Sequence, residues 1–405
     1  MRETTRPVRV LFAHLGEEAL RGSEHVVLTL LAHLDPARYR LTVWSNSRAL
    51  VEACRPFGVR AEHDRFGFFL MPGAPFHPRR YWRQFTRARQ LLREESIDLV
   101  HAHNLPVLQW VYPAVLLAGV PVIGHIHFEE SRRGRYRFLA HAADLLLAVS
   151  FAVARPYLEE DGLDPARLRV VYNGIDPNRF RCTDPSVLRT QLGLPSDAVI
   201  VGSVGSLIPR KGHDLLVRAV HRLAGEFADL HLVIAGEGPE RPALETLARE
   251  LGINDRVHLM GSLDDPSPVY AGCDVFALAS RSEAFGLVLV EASLFGKPLI
   301  ATDSGGMAEV VHDGEAGFVV PTEDGEALVR AMRTLLADPA LRQRLGQAAA
   351  AHARSRFSVE AMVSGIERAY ADVLGADPTL AGGVRALWRK RGPYLRALRG
   401  PRGPS

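Results

Sequence analysis

One pattern constrains this chain more than any other. Short runs rich in Val, Ile and Leu alternate with helical stretches of ten residues or more, and repeated βαβ units of that kind build a parallel sheet covered by helices. In the first half the predicted strands are VRVLFA (8–13), YRLTVW (39–44), DLVHAH (98–103), PVIGHIH (121–127), DLLLAVS (144–150) and RVVYN (169–173). Amphipathic stretches separate them; in SEHVVLTLLAHL (23–34), Ser23 is expected to cap the helix. The strands are apolar throughout rather than alternating, as strands buried on both faces are. After RVVYNGIDPNRF (169–180) the pattern pauses in a polar, turn-rich stretch. It resumes with AVIVGSVG (198–205), LHLVIAGEG (230–238), RVHLMG (256–261), DVFALAS (274–280), KPLIATD (297–303) and GFVVP (317–321). A chain of 405 residues has room for two or three domains, and the pause near residue 178 predicts two doubly wound α/β domains of similar size, 1–178 and 179–356. Such sheets bind ligands outside the carboxyl ends of their strands, so two of them facing each other are expected to enclose a cleft lined by βα loops.

With 47% hydrophobic and 23% charged residues, the chain is too apolar to be disordered. No apolar run approaches the roughly 18 residues that span a bilayer; AVLLAGVPVIG (114–124) and ADLLLAV (143–149) are strand-sized or broken by Gly and Pro. MRETTRPVRVLFAH enters a β-like run without the apolar segment of a signal peptide, so a cytoplasmic location is expected. Cys54, Cys182 and Cys273 lie far apart, with no spacing for a zinc site or a disulfide framework. The net charge of +3 is unevenly placed. Residues 79–93 carry six arginines and no acid, with Tyr81, Trp82 and Phe85 interleaved, and residues 385–402, in a basic tail over 376–405, carry seven cations and no acid. A basic surface bearing aromatics suits peripheral contact with an anionic membrane; the other reading is a solvated helix face. The tail, with Trp388 and Tyr394, is either a second membrane contact or a disordered end. Nucleic acid is not an expected partner, because no nucleic-acid-binding motif accompanies the charge.

The strongest chemical signal is RSEAFGLVLVEASLFGKPLIATDSGGMAEVV, residues 281–311. It follows the predicted strand DVFALAS, and its helix is expected to begin near Phe285. Glu283 and Glu291 would then stand roughly 80° apart in rotation and about 12 Å apart along the axis, a span suited to an extended ligand. Backbone N–H groups near Phe285, Gly286 and Leu287 would be free at the helix N-terminus, where a diphosphate binds well. Glu291 falls in an otherwise apolar stretch, LVLVEASLF, and a carboxylate there needs a partner.

This segment resembles the defining motif of the family 4 retaining glycosyltransferases, enzymes of the GT-B architecture with two Rossmann-like domains. SVGSLIPRKGHDLLVRAV (203–220) resembles the family's glycine turn and Lys-Gly, LVIAGEGP (232–239) its next strand and turn, and VVYNGID (170–176) its interdomain segment. DLVHAHN (98–104) resembles a strand of its acceptor domain, and RGSEHVVLTLLAHL (21–34) its first glycine loop and helix. The likeness runs in the family's order from about residue 8 to about residue 375. It implies an acceptor-binding domain over 1–178, a nucleotide-sugar-binding domain over 179–356, and a helix over 357–375 that packs back toward the first domain.

Carried over residue by residue, the resemblance implies that Lys211 pairs with the donor diphosphate, that Glu291 binds the ribose hydroxyls and that Glu283 lies near the transferred sugar. Gly305 and Gly306 in TDSGG, and Gly22 from the other domain, would let backbone approach the donor. His127 matches the family's histidine facing the donor sugar, so Glu283, Lys211 and His127 are the expected catalytic residues. Phe285, Gly286 and Leu287 supply the helix mouth. Two positions depart from the family pattern. Gly205 and Ser206 stand where many members have Gly-Arg, which leaves Arg210 as the second basic phosphate ligand, and Arg21 with Gly22 stands where two glycines are common. His101, His103 and Asn104 lie at a strand end from which they could reach an acceptor, but are read as packed strand residues, and Asn173 and Asp176 as fixing the turn between domains.

The family implies retention of anomeric configuration. Double displacement needs a carboxylate on the far face of the sugar, and the resemblance gives Glu283 to sugar binding, so front-face displacement with the leaving diphosphate as proton acceptor is preferred. No metal-binding DxD-like signature appears, so neither metal nor other cofactor is expected. The expected reaction is transfer of a hexosyl unit from a UDP- or GDP-sugar to a glycan or lipid-linked acceptor of the cell envelope, on the inner face of the plasma membrane. A non-catalytic nucleotide-sugar-binding protein and a GT-B epimerase or phosphorylase-like enzyme are the alternatives. A nicotinamide dehydrogenase is disfavoured, since neither domain opens with GxGxxG.

Overall fold

The structure, a computed structural model, describes residues 6–16, 18, 20, 22–66 and 77–375. Its strands are β1 (Val8–His14), β2 (Tyr39–Ser45), β3 (Arg60–His63), β4 (Leu99–His103), β5 (Val122–Ile126), β6 (Leu145–Ala148) and β7 (Leu168–Val170). There follow β8 (Val199–Val204), β9 (Leu230–Ala235), β10 (Val257–Gly261), β11 (Val275–Leu278), β12 (Leu299–Thr302) and β13 (Gly317–Val320). Two sheets form, ordered β3-β2-β1-β4-β5-β6-β7 and β10-β9-β8-β11-β12-β13. Neighbouring strands are parallel throughout both sheets. In each sheet the order reverses beside the first strand, at β1/β4 and at β8/β11, and such a switch point is where doubly wound sheets form their ligand crevice.

Twelve of these strands coincide with the apolar runs of the sequence. The remaining one, β3, is RAEH at a sheet edge, where charged side chains are solvated and paired rather than buried. Arg60 bonds Glu94 at 3.0 Å and also meets Glu95, and the Arg87 guanidinium grips Glu62. A strand stabilised in this way has no hydrophobic signature.

The chain divides into two compact units at Gly174/Ile175 and again at Ser358/Val359. Near the first division Asp176 caps the turn Pro177–Arg179, accepting from the Asn178 N–H at 2.9 Å. Near the second, the Ile175 N–H donates to the Phe357 carbonyl at 3.0 Å, closing the second unit on itself. The helix Val359–Gly375 belongs with the first unit: Met362, Ile366, Ala369 and Tyr370 enter the core built by Val10, Phe12, Leu99 and Ile123. The second core is built around Val201, Leu232, Val275 and Ile300 of the sheet with Leu216, Val220, Leu328 and Met332 of the helices.

Two details differ from the sequence reading. The first helix runs Gly22–His33, so Ser23 lies inside its first turn rather than at its cap, and its hydroxyl donates to the Glu24 carboxylate at 3.1 Å. In the basic helix Pro78–Glu94, only Trp82 of the three aromatics is exposed; Phe85 is buried and the Tyr81 hydroxyl donates to the Gln109 carbonyl at 3.1 Å. Arg83 pairs with Asp64 at 2.8 Å and Arg87 with Glu62, which leaves Arg79, Arg80, Arg89 and Arg93 without an acidic partner among the described residues. The basic tail 376–405 lies outside the described residues. No described helix is long and apolar enough to cross a membrane, and the three cysteines are free thiols.

Candidate functional site

The β8/β11 crevice collects most of the residues singled out in the second half of the sequence. After β8 the chain turns through Gly205 and the short turn Pro209–Lys211, then enters the helix His213–Leu223. After β11 it passes through residues 279–286 into the helix Leu287–Leu294. Backbone and side-chain bonds stitch the two loops together. The Arg281 N–H donates to the Arg210 carbonyl at 2.8 Å, the Arg281 guanidinium to the Pro209 carbonyl at 2.7 Å, and Arg210 Nη1 to the Ser282 carbonyl at 2.9 Å. Arg281 also holds Asp214 with two bonds of 2.8 and 2.9 Å, a bidentate geometry that fixes the first turn of the following helix.

This stitching brings Lys211 Nζ into contact with Glu283 Oε2, with Arg210 Nη1 3.7 Å from the same oxygen. Both Lys211 and Glu283 are largely shielded from solvent, so the attraction is stronger than that of an exposed pair. The loop after β12 joins them: Gly305 sits at φ +58°, and the Gly306 N–H donates to the Glu283 carbonyl at 3.2 Å. Its part in the described geometry is therefore to fix the glutamate loop.

The glutamate loop differs from expectation in one respect. The helix starts at Leu287, not Phe285, because Gly286 takes φ +89° as its N-cap, and a Cβ there would come within 3.0 Å of Leu289. Glu283 is accordingly three residues ahead of the cap, and the rotation and rise expected between the two glutamates do not apply. Phe285 is buried against Phe357, while the helix mouth is formed from Gly286 and Leu287. Glu291 remains on the helix, 5% exposed, and it has the partner that burial demands: the Tyr270 hydroxyl donates to Oε2, and Arg179 lies 3.4 Å from Oε1. Burial and the Glu291 charge raise the Tyr270 phenol well above its ordinary range, keeping it a donor.

Glycine is required where these loops cross, and Gly205 is not the critical position. A Cβ on Gly205 would sit 3.5 Å from the Lys211 chain, an ordinary contact. A Cβ on Gly212, at φ +63°, would strike the Ala279 carbonyl at 1.9 Å, and one on Gly236 would strike the Gly205 carbonyl at 1.8 Å.

In the first unit, Gly22 opens the first helix, and Arg21 lies outside the described residues. His127 follows β5, is 8% exposed, and its Nε2 has no hydrogen-bond partner. Burial pushes its imidazole down to about 3, as it does those of His14 and His101. These rings are neutral at physiological pH.

A profile described as glycosyl transferases group 1 matches residues 186–352, and one described as glycosyltransferase family 4 matches residues 20–179. A D-inositol 3-phosphate glycosyltransferase of Acidothermus cellulolyticus is 35% identical over 318 residues, covering 74% of this chain and 68% of that protein. The lipopolysaccharide core biosynthesis glycosyltransferase LpsE of Rhizobium meliloti is 36% identical over 211 residues, 52% of this chain and 58% of its own. Among solved structures, Anabaena HepE in complex with UDP and glucose superposes with a TM-score of 0.77 at 25% identity, over 90% of this chain and 99% of that one. The chain belongs to glycosyltransferase family 4.

This family 4 glycosyltransferase, with its two parallel-sheet domains of the GT-B class, carries several site residues that the sequence alone did not single out. Arg179 and Tyr270 steady Glu291, and Arg281 locks the loop that bears Lys211. In the first unit, Glu24 is buried 3.4 Å from His14 Nε2, and burial raises the Glu130 carboxyl to about 7 against the opposing pull of Arg135 and Arg137. Arg179 and Tyr270 are found only through long-range contacts with Glu291, and Arg281, although it opens the motif 281–311, shows its role only through its bonds to Pro209 and Asp214.

His213 follows Lys211 closely, and burial, reinforced by Lys211, pushes its imidazole down to about 4 from the ordinary 6.5. The unfolded chain therefore binds the proton more readily than the folded one. The stability tied to His213 is whole above pH 6.5 and drains away as the pH falls toward 4. Replacing it with a non-titrating residue, His213→Gln, is expected to flatten the acid loss of stability by about 2 kcal/mol near pH 4.5, read by denaturant unfolding against wild type. A wild-type slope retained in the variant would remove His213 as its source.

Proposed function

We propose that this glycosyltransferase moves a hexosyl unit from a nucleotide diphosphate sugar to a glycan or lipid-linked acceptor of the cell envelope, with retention of configuration and without a metal ion. The observation that carries the reading is the meeting of Lys211, Arg210 and Glu283 beside the N-terminus of the helix Leu287–Leu294 at the β8/β11 switch point. Anions are favoured there by the helix dipole and by two cations, and doubly wound sheets bind nucleotides at such crevices. The UDP and glucose bound by HepE support a nucleotide sugar, and the similarity to the lipopolysaccharide core biosynthesis glycosyltransferase LpsE supports an acceptor from envelope chemistry.

In this reading the incoming diphosphate competes with Glu283 for Lys211. It carries more charge than one carboxylate, so Lys211 turns to the β-phosphate, and Glu283 is released toward the sugar hydroxyls. Glu291, oriented by Tyr270, presents Oε1 to the ribose. The acceptor hydroxyl attacks the anomeric carbon on the face from which the diphosphate departs. The bond from that carbon to the phosphate oxygen breaks, and the acceptor's proton passes to the departing phosphate. Lys211, Arg210 and the helix N–H groups stabilise the negative charge that develops there. His127, neutral and with Nε2 unpartnered, is suited to hydrogen-bond a sugar hydroxyl.

The exposed Trp82 and the four arginines of its helix that have no acidic partner among the described residues support weak contact with an anionic membrane. Flotation with phosphatidylserine vesicles is expected to recover the wild type at low salt and less of the Trp82→Ala variant. Equal recovery on neutral vesicles would dismiss the electrostatic part.

Replacing Lys211 by Met, or Glu291 by Gln, is expected to lower kcat/KM by roughly 100-fold or more, as loss of one preorganised charge to a transition state does. Sugar-dependent nucleotide release from a panel of UDP-, GDP- and ADP-sugars measures it, and that release is expected to persist in EDTA. Unchanged turnover in both variants would refute the assignment of the donor site; loss in EDTA restored by Mg²⁺ would refute the metal-free mechanism.

A further inference from the structure

The first sheet carries a stack of imidazoles of which the glycosyl-transfer reading uses only His127. Side chains two apart on a strand share a face, so His101 and His103 of β4 point the same way, as do His125 and His127 on and after β5. The register sets His103 opposite His125 on one side and His14 on the other. The result is a close group of rings, with His101 and His103 stacked at 4.0 Å between centroids and His101 and His125 at 5.2 Å. His14, His101 and His103 are wholly buried and His125 is 1% exposed.

Hydrogen bonding does not account for this arrangement. His101 is satisfied twice, by the Tyr370 hydroxyl at Nδ1, 2.8 Å away, and by His125 Nδ1 at Nε2, 3.1 Å away. Among the described residues His103, in the middle of the stack, has no partner for either ring nitrogen, and His125 has none for Nε2. A buried imidazole left in that state is costly, and neither Phe12, edge-on at 4.9 Å, nor the neighbouring rings of the stack give it a hydrogen bond. One nitrogen each from His101, His103 and His125 can be chosen so that all three lie within 4.8 Å of one another. Nitrogens bound at about 2.0–2.1 Å to a tetrahedral ion stand about 3.4 Å apart, close to the 3.1 Å that separates His101 Nε2 from His125 Nδ1.

We propose that His101, His103 and His125 form a site for a divalent transition-metal ion of the Zn²⁺ class, bound through three neutral imidazoles. Borderline cations prefer such nitrogens, whereas Mg²⁺ and Ca²⁺ demand oxygen ligands that this group does not offer. Three protein ligands leave one position of a tetrahedral shell for water. With Nε2 of His101 on the ion, its Nδ1–H donates to the Tyr370 oxygen, the outer-shell bond that orients a ligating histidine. Tyr370 is a positioning residue: through it the ion ties β4 and β5 to the helix Val359–Gly375, so the site is structural. Every one of these side chains belongs to the first unit, whereas Lys211, Glu283 and Glu291 belong to the second.

The test uses the full chain without a polyhistidine tag and no sugar substrate, so its outcome does not depend on the transfer reaction. Elemental analysis after dialysis against micromolar Zn²⁺ is expected to find about one ion per chain, and Co²⁺ to give the intense visible bands of a tetrahedral nitrogen site. His103→Gln and His125→Gln are expected to weaken Co²⁺ binding more than about 100-fold, and Tyr370→Phe to weaken it by about 10-fold. If the histidine variants do not fold, the wild-type spectrum and the Tyr370→Phe titration decide. No uptake by the wild type, octahedral-type spectra, or undiminished uptake in folded variants overturns the proposal.

Discussion

The contact between Lys211 and Glu283 depends on a reversal of strand order. These residues are 72 positions apart, on loops that follow β8 and β11, and they meet because those two strands are neighbours in the second sheet. Placing a lysine and a glutamate together, largely shielded from water, at the mouth of a helix requires the loops to be fixed against each other before the side chains pair. The bonds of Arg281 and Arg210 to opposing backbone carbonyls do that, and they hold whichever partner Lys211 takes. A preorganised cation can then exchange one anion for another at little reorganisation cost, which is what an electrostatic catalyst needs.

Steric constraint closes the rest of the crevice. Gly212 and Gly236 lie where loop backbones touch carbonyl oxygens, so no side chain fits, and Gly286 bends the chain so that the helix begins after Glu283 rather than before it. That bend separates two glutamates that look alike in sequence. Glu283 is left on a loop among cations, while Glu291 is drawn into the helix and held by Tyr270 and Arg179. One carboxylate is free to change partner; the other is oriented and fixed.

The apolar runs made twelve strands and both sheets readable, because parallel strands buried on both faces must be hydrophobic throughout. The edge strand RAEH was not readable, since ion pairs rather than burial hold it. The motif residues Lys211, Glu283 and Glu291 stood out, but the groups that hold them did not: Arg179 and Tyr270 are ordinary in sequence, and Arg281, though it opens the motif, shows its role only through contacts with the loop after β8. His101 and His103 of β4 were read as packed strand-end residues and His125 of β5 was not singled out; only register shows that the three converge, and among the described residues the central one has no hydrogen bond. The start of the helix after β11 was misjudged by two residues because the left-handed turn at Gly286 is a backbone property, which a pattern of apolar residues does not encode.

The measurement that bears most directly on the account is diffraction from crystals soaked with UDP, GDP or ADP. The expected result places the two phosphates against Lys211 Nζ and the N–H groups at the start of the helix Leu287–Leu294, with Glu291 Oε1 on the ribose and Glu283 turned away from Lys211. Phosphates bound elsewhere in the chain, with the Lys211–Glu283 contact undisturbed, would contradict it.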